Sequence, residues 1–320
     1  MSNGDIGEPA AFTAGLTMPW KLLQCREAVD AGRIRPVHIK LFPTNRCNAR
    51  CSFCSIQKWA RDEELPIGEI ADLLRHFHAL GTRAVTLSGG GEPTMHAEFD
   101  TILDLCADLD IQVGMITNGL LWSDREKPLR ADGRLVWARM SVVDTESGRY
   151  DVERLRRFSQ NLPRVAVGCY AAITRGTAVR TIADLADLAE ELPNVTHFKL
   201  GEDSSAGASE KMDELEALLH PGHGKMIFHR TGEMPAGRRD CLISLLRPVI
   251  AADGYVYPCC DMKLADGGYV EPRMFRMVHW SGFGPDTSHF DGSMCPGCLW
   301  DRYNTVLRNL VAPLEHGRFV

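Results

Sequence analysis

The sequence predicts an α/β fold, a parallel sheet built from six βα units with a small cysteine-rich module behind it. Two observations carry this. Between residues 37 and 200, short β-branched or apolar runs alternate with stretches of helical apolar spacing. After about residue 220 the texture changes to Gly, Pro, Cys and aromatic residues with little periodicity. Strands separated by helices need crossover connections, and these set successive strands parallel and right-handed.

Taken in order, residues 1–35 are expected to be an N-terminal extension packed on the barrel. Strands are expected at 37–42, 84–88, 112–117, 135–143, 165–171 and 195–200. Helices are expected at 67–80, 99–109, 152–158, 182–192 and 210–219. In the first of these, Ile70, Leu73, Leu74 and Phe77 fall on one stripe. Pro66 sits at its start, Gly81 ends it, and Pro163 and Pro193 follow two others. The expected domains are 1–35, 36–225 for the barrel, and 226–320 for the module and C-terminal tail. So aperiodic a module needs a staple, which a metal site built on its cysteines would supply.

Composition narrows the function. The 320 residues carry 36 Lys and Arg against 42 Asp and Glu, a net charge of −6, with 24% charged and 44% hydrophobic residues. That balance excludes binding nucleic acid by broad electrostatic attraction, and it excludes disorder and coiled coil. No run of 18 apolar residues is present, so no membrane span is expected. Residues 1–16 lack the basic flank and apolar core of a secretory signal, and a cytoplasmic location follows as the expectation.

Eleven cysteines without a secretory signal point to metal or reactive thiols rather than to disulfides. Cys47, Cys51 and Cys54 form a CxxxCxxC array directly after the first strand. Three thiolates on one loop ligate three corners of a 4Fe-4S cube and leave the fourth iron open for chemistry. A zinc knuckle wants four ligands, and this loop offers no fourth Cys or His.

The array, with Phe53 just before its third cysteine, resembles that of the radical S-adenosylmethionine (SAM) superfamily. Gly89-Gly90-Gly91-Glu92, after the second strand, is similar to the family's GGE motif; there backbone groups and a carboxylate hold the SAM ammonium. One glycine exceeds the commonest form, so which of the three makes the contact stays open. Asn118, in the Thr117-Asn118-Gly119 turn, and Ser141 with Asp144 resemble polar positions that touch the SAM carboxylate or ribose. Each also reads as an ordinary turn or cap. The resemblance, which spans residues 37–203, implies a partial (β/α)6 TIM-like barrel, SAM as cofactor, and reduced flavodoxin or ferredoxin as electron donor.

Cys241, Cys259, Cys295 and Cys298 form a second set. Between the first two, Asp253-Gly254 flanked by apolar and aromatic residues predicts a tight β-hairpin. The layout resembles a twitch domain, the shortened relative of the SPASM domain, whose four cysteines ligate an auxiliary 4Fe-4S cluster. Four-cysteine zinc ligation is the alternative. Cys260 either replaces Cys259 as ligand or is a bystander, because neighbouring strand residues face opposite ways.

What the resemblance implies is SAM cleavage to a 5'-deoxyadenosyl radical and hydrogen abstraction from a small polar metabolite such as a sugar, aminocyclitol or nucleoside. Net two-electron oxidation through the auxiliary cluster is the leading outcome. Glu202, Asp144 and Asp203 are the candidate bases for a hydroxyl proton, with Lys199 at the same strand end. Radical epimerisation, which needs a hydrogen donor such as Cys169 or Cys260, and peptide modification are the enzymatic alternatives. No leader-recognition segment is read in residues 1–35. A zinc-stapled binding module is the non-enzymatic one. His76 and His78, two apart on one helix, and His96 read as structural or exposed, and Arg154, Arg156 and Arg157 as a solvated face.

Overall fold

The computed structural model describes residues 14–51, 54, 60–123, 135–142, 152–203, 208–219, 222–230, 235–260, 272–295 and 297–312. Helices α1 (Ala14–Gln24) and α2 (Arg26–Asp30) precede β1 (His38–Leu41). There follow α3 (Ile67–Leu80), β2 (Ala84–Leu87), a 3-10 turn at Pro93–Met95, α4 (Phe99–Asp108), β3 (Gln112–Thr117), the single turn α5 (Leu120–Ser123) and β4 (Leu135–Val142). The chain continues through α6 (Val152–Gln160), β5 (Ala166–Ile173), α7 (Val179–Glu191), β6 (Val195–Glu202), α8 (Ala208–Leu219) and β7 (Met226–His229). The last part holds α9 (Ile243–Leu246), β8 (Val249–Ile250), β9 (Val256–Tyr257) and α10 (Asp301–Val311).

The strands make one sheet in the order β7-β6-β5-β4-β3-β2-β1-β8-β9, parallel throughout except for the final β8–β9 pair. No hydrogen bonding between β7 and β9 closes it among the described residues, so it is a partial barrel. The six expected βα units are all present. β5 and β6 run two residues further at their C-terminal ends than the sequence indicates, and α7 starts at Val179 rather than 182. A Thr174–Thr177 turn feeds the chain into that helix early.

The sheet also continues past the sixth strand. β7 pairs with β6, and β8 pairs with β1 with Lys40 opposite Val249 and Leu41 opposite Ile250. β8 and β9 form the expected hairpin, with Gly254 at φ 78°, a conformation that suits glycine. Asp253 fixes the turn: its carboxylate accepts from the Tyr255 amide at 3.0 Å, the Tyr257 hydroxyl at 2.7 Å and the Arg276 guanidinium at 2.6 Å.

One face of the sheet packs on the helices. Ile39, Leu41, Val113, Met115, Met140, Cys169, Ala171 and Phe198 share a core with the stripe Ile70, Leu73, Leu74 and Phe77 of α3 and with the apolar faces of α4, α6, α7 and α8. A parallel strand is flanked on both sides, so its other face lines the lumen. α3 ends where expected, at Gly81 with φ 111°. Its polar side seats the C-terminal module, because His76 Nε2 meets the Phe283 carbonyl at 2.7 Å and the Trp280 indole donates to Glu69 at 2.8 Å. His76 is thus a structural residue. So is buried His96, whose ring contacts the Leu65 carbonyl at 2.9 Å and accepts from the Glu98 amide.

Candidate active site

The loop that carries the first cysteines leaves β1 and is clamped at its base. Thr44 bridges Glu64, the Asn45 side chain donates to the Ala60 carbonyl and to Glu63, and Arg46 donates to Glu64 at 2.5 Å and to the Met95 carbonyl at 3.0 Å. The glycine segment after β2 docks on the same base, the Gly91 amide donating to the Thr44 carbonyl and the Glu92 amide to the Arg46 carbonyl. A Cβ on Gly91 would lie 2.0 Å from the Arg46 oxygen, and one on Gly89 would lie 1.8 Å from the Gly91 oxygen. Both glycines are therefore required by backbone approach, which is the physical reason for the glycine run.

Glu92 is 2% exposed. Its Oε1 accepts from the Thr94 amide (3.2 Å), the Thr94 hydroxyl (2.7 Å) and the Thr117 hydroxyl (2.7 Å), and its Oε2 accepts from the Asn118 amide (2.7 Å). Burial pushes its pKa up and these donors pull against the rise. The carboxylate ties the β2 loop to the end of β3 while its edge still lines the cavity. Beside it the Asn118 side-chain Nδ2 donates to Asn48 Oδ1 at 2.7 Å, next to Cys47 in the cysteine loop.

These elements enclose a cavity of about 380 Å³ at the C-terminal ends of the strands. Cys47, Cys51 and Cys54 line it together with Gly89, Gly90, Gly91, Glu92, Asn118, Ser141, Glu202 and Asp203. Phe53 and Asp144 lie outside the described residues. Burial raises the Cys47 pKa, with the Glu92 and Cys54 charges adding to the rise, so a thiolate there calls for a bound cation.

Cys169 does not belong to this site. It is 0% exposed, it lies on the helix-packed face of β5, and burial pushes its pKa to about 12. Its neighbours Tyr170 and Ala172 face the cavity instead, because side chains alternate along a strand. The expectation that Cys169 offers a hydrogen atom to a substrate radical is corrected accordingly. Three polar strand residues of the cavity went unread in the sequence: Lys40, Arg139 and Tyr170, with the Arg139 guanidinium 5.1 Å from the Tyr170 ring centre. Their signal is a polar or hydroxylated residue interrupting an apolar strand at lumen parity. Below them His197 is buried, and burial plus the Arg139 and Lys199 charges depress its pKa to about 4.

The second cysteine set lines a separate cavity. Cys241, Cys259, Cys295 and Cys298 share it with apolar walls that include Phe275, Phe290 and Trp300. Backbone bonds stitch the segments together: Cys241 N donates to Phe290 O, Cys298 N to Pro235 O, and Gly237 N to Cys295 O at 2.7 Å. Burial, with nearby Cys298, pushes the Cys241 thiol up to about 12, and Cys295 and Cys298 are raised as well. Clustered thiols in so apolar a place become thiolates only around a cation. Cys260 lines the other cavity, where the Lys40 ammonium donates to its sulfur at 3.0 Å. Adjacent residues of one strand end thus serve two cavities. No disulfide joins any of the eleven cysteines, and among the described residues no three Cys, His, Asp or Glu converge closely enough to hold a single ion.

A partial barrel that presents three thiols beside a glycine cradle at its C-terminal strand ends defines a class of cofactor-binding α/β enzyme. Residues 41–166 match the family model of the radical SAM superfamily. The chain is 38% identical over 209 residues to a GTP 3',8-cyclase of Stenotrophomonas maltophilia strain K279a, covering 62% of this chain and 60% of that relative. It is 27% identical over 263 residues to the sporulation killing factor maturation protein SkfB of Bacillus subtilis strain 168, covering 75% of this chain and 64% of SkfB. The chain spans about half the length of the first curated relatives it matches, 49% of the GTP 3',8-cyclase of Marinobacter nauticus for example. Among solved structures, the fold is shared with Streptococcus suis SuiB bound to SAM (TM-score 0.51, 18% identity, 75% of this chain and 65% of that one). It is shared also with anSMEcpe with bound SAM (TM-score 0.54, 14% identity, 78% and 76%). No described helix is long and apolar enough to cross a membrane.

Proposed function

We propose that the chain abstracts a hydrogen atom from a small polar metabolite and oxidises it by two electrons, the second leaving through an auxiliary cluster in the C-terminal module. The observation that supports this most is the division of labour between Cys259 and Cys260 across two cavities. Four thiols from three segments share an apolar cavity apart from the SAM site, which fits a fully ligated cluster and leaves no position there for substrate. When bound, a 4Fe-4S cluster on Cys47, Cys51 and Cys54 supplies the electron that cleaves SAM to methionine and a 5'-deoxyadenosyl radical.

The chain's own residues do the rest. Gly89, Gly91 and Glu92 form the wall offered to the methionyl amino group, while Asn118 and Ser141 offer polar contacts along the strand ends. Glu202, at the far rim and hydrogen-bonded by Ser209, is the proposed acceptor of the substrate hydroxyl proton, with Asp203 beside it. A second reading, peptide modification, draws on the wider coverage of SkfB and on SuiB, whose structure is also solved with its precursor peptide SuiA.

The test is anaerobic reconstitution followed by iron, sulfide and deoxyadenosine analysis. Native protein is expected to carry about eight irons and Cys259→Ala about four, with SAM cleavage retained in both and product formation lost in the variant. Zinc in place of sulfide, or an unchanged iron content in Cys259→Ala, refutes the reading.

A further inference from the structure

Beside β1 lies a group of cations that the proposed chemistry does not use. Lys40 lines the active-site cavity. His38, two residues earlier, faces the same way and bonds Thr86 Oγ1 at 2.8 Å. β8 lies alongside, with Lys40 opposite Val249, and Arg247 ends the helix α9 just before that strand. The Lys40 amide donates to the Pro248 carbonyl at 3.0 Å, which fixes the two segments together.

Arg247 is the informative member. It is 9% exposed, and its guanidinium lies 4.2 Å from the centre of the Trp300 ring. Stacking covers the face of the guanidinium and leaves its edge unanswered: among the described residues, Nε and Nη2 are buried without a hydrogen-bond partner. Arg keeps its proton under all ordinary conditions, so it cannot escape the cost of burial by neutralising. Nor do its described neighbours compensate it. The charges that act on His38 are those of Lys21, Arg247 and Lys40, all positive, and burial with Arg247 and Lys40 lowers Lys21 to about 8. The carboxylates of the cavity stand elsewhere, Glu92 held by its four donors and Glu202 and Asp203 at the end of β6.

We infer that Lys40 and Arg247, with Lys21 behind them, form a subsite for an oxyanion carried by the substrate, a phosphate or a carboxylate, at the seam between β1 and β8. This rests on the reading of the 380 Å³ cavity as the place where substrate reacts. The anion seats against the Lys40 ammonium at the wall and gains the field of Arg247 and Lys21 from the layer below. A fixed oxyanion also orients the substrate carbon toward the glycine cradle, which is what positioning by a charged handle achieves.

The test uses reconstituted, SAM-loaded protein under anaerobic calorimetry, with inorganic phosphate and pyrophosphate as one set of probes and succinate as the other. Binding by either set, weakened at least tenfold in both Lys40→Met and Arg247→Gln, supports the subsite, and the set that binds identifies the anion. Lys211→Met, on the outer face of α8, serves as control and is expected to bind as native. Because a buried Arg replacement can disturb folding, Lys40→Met alone decides if Arg247→Gln melts early. No binding by any probe, or binding undiminished in Lys40→Met, overturns the inference. Deoxyadenosine formation in the same preparation separates the failures: its absence refutes the function, while its presence without anion binding refutes only the subsite.

Discussion

Replacing Glu92 with Gln tests whether this carboxylate is built into the fold or is held only for a ligand. Four donors converge on it, three on Oε1 and the Asn118 amide on Oε2 at 2.7 Å. In Gln the Oε2 position becomes an amide nitrogen, so one bond is lost and two N–H groups confront each other in a buried place, a cost of about 1–3 kcal/mol. The three donors on the other oxygen keep their acceptor but lose its charge, at about 0.5–1 kcal/mol each for partly charge-assisted bonds. The sum is about 4 kcal/mol. At about 2 cal/mol/K of unfolding entropy per residue, that lowers the melting temperature of a chain this long by about 6 °C. The assay is anaerobic thermal or urea unfolding of the protein without SAM, followed by near-ultraviolet circular dichroism, with Thr117→Val as a smaller change of about 1–2 kcal/mol. A Glu92→Gln melt within 1 °C of native, with SAM affinity alone reduced, would refute the structural role.

Other outcomes follow from the same geometry. His197 has a folded pKa near 4 against 6.5 in the open chain, so the unfolded state binds its proton first; stability is full above about pH 6.5 and falls by up to about 3 kcal/mol as pH drops to 4, and His197→Asn should flatten that slope in urea titrations. Gly91→Ala places a methyl 2.0 Å from the Arg46 carbonyl and is expected to abolish SAM cleavage, whereas retained deoxyadenosine formation would contradict the cradle. Cys169→Ala should lose about 1 kcal/mol of stability and leave deoxyadenosine and product yields unchanged, because the thiol points into the helix-packed core. Tyr257→Phe removes one donor from Asp253 and should cost about 1 kcal/mol in denaturant unfolding without changing cluster content.

Much of the barrel was legible because its helices advertise themselves. α3 occupies Ile67–Leu80, where its stripe and its Pro66 and Gly81 boundaries place it. The cysteine loop and the glycine run were legible for a different reason: their spacing is set by local backbone chemistry, so no long-range information is needed. Which way a strand residue faces was not. β5 reads Ala-Val-Gly-Cys-Tyr-Ala-Ala-Ile, apolar on both sides, and only register decides that Tyr170 faces the cavity and Cys169 the helices. The same limit left Cys259 and Cys260 undecided, since two adjacent thiols are equivalent until the hairpin that carries them is docked on β1. β8 is a two-residue strand whose pairing comes from tertiary contact rather than from any periodic signal.

That pairing also makes the C-terminal module the barrel's flank. With β8 in place, β1 is an interior strand hydrogen-bonded on both sides. A version of the protein truncated before residue 249 would bare a row of amides and carbonyls along β1, next to the loop that holds the first three cysteines. Exposed edges of that kind recruit other chains. Shortened forms are therefore expected to clump rather than to behave as independent barrels, and attempts to graft a different tail onto this barrel will succeed only if the newcomer brings a strand to cover the seam.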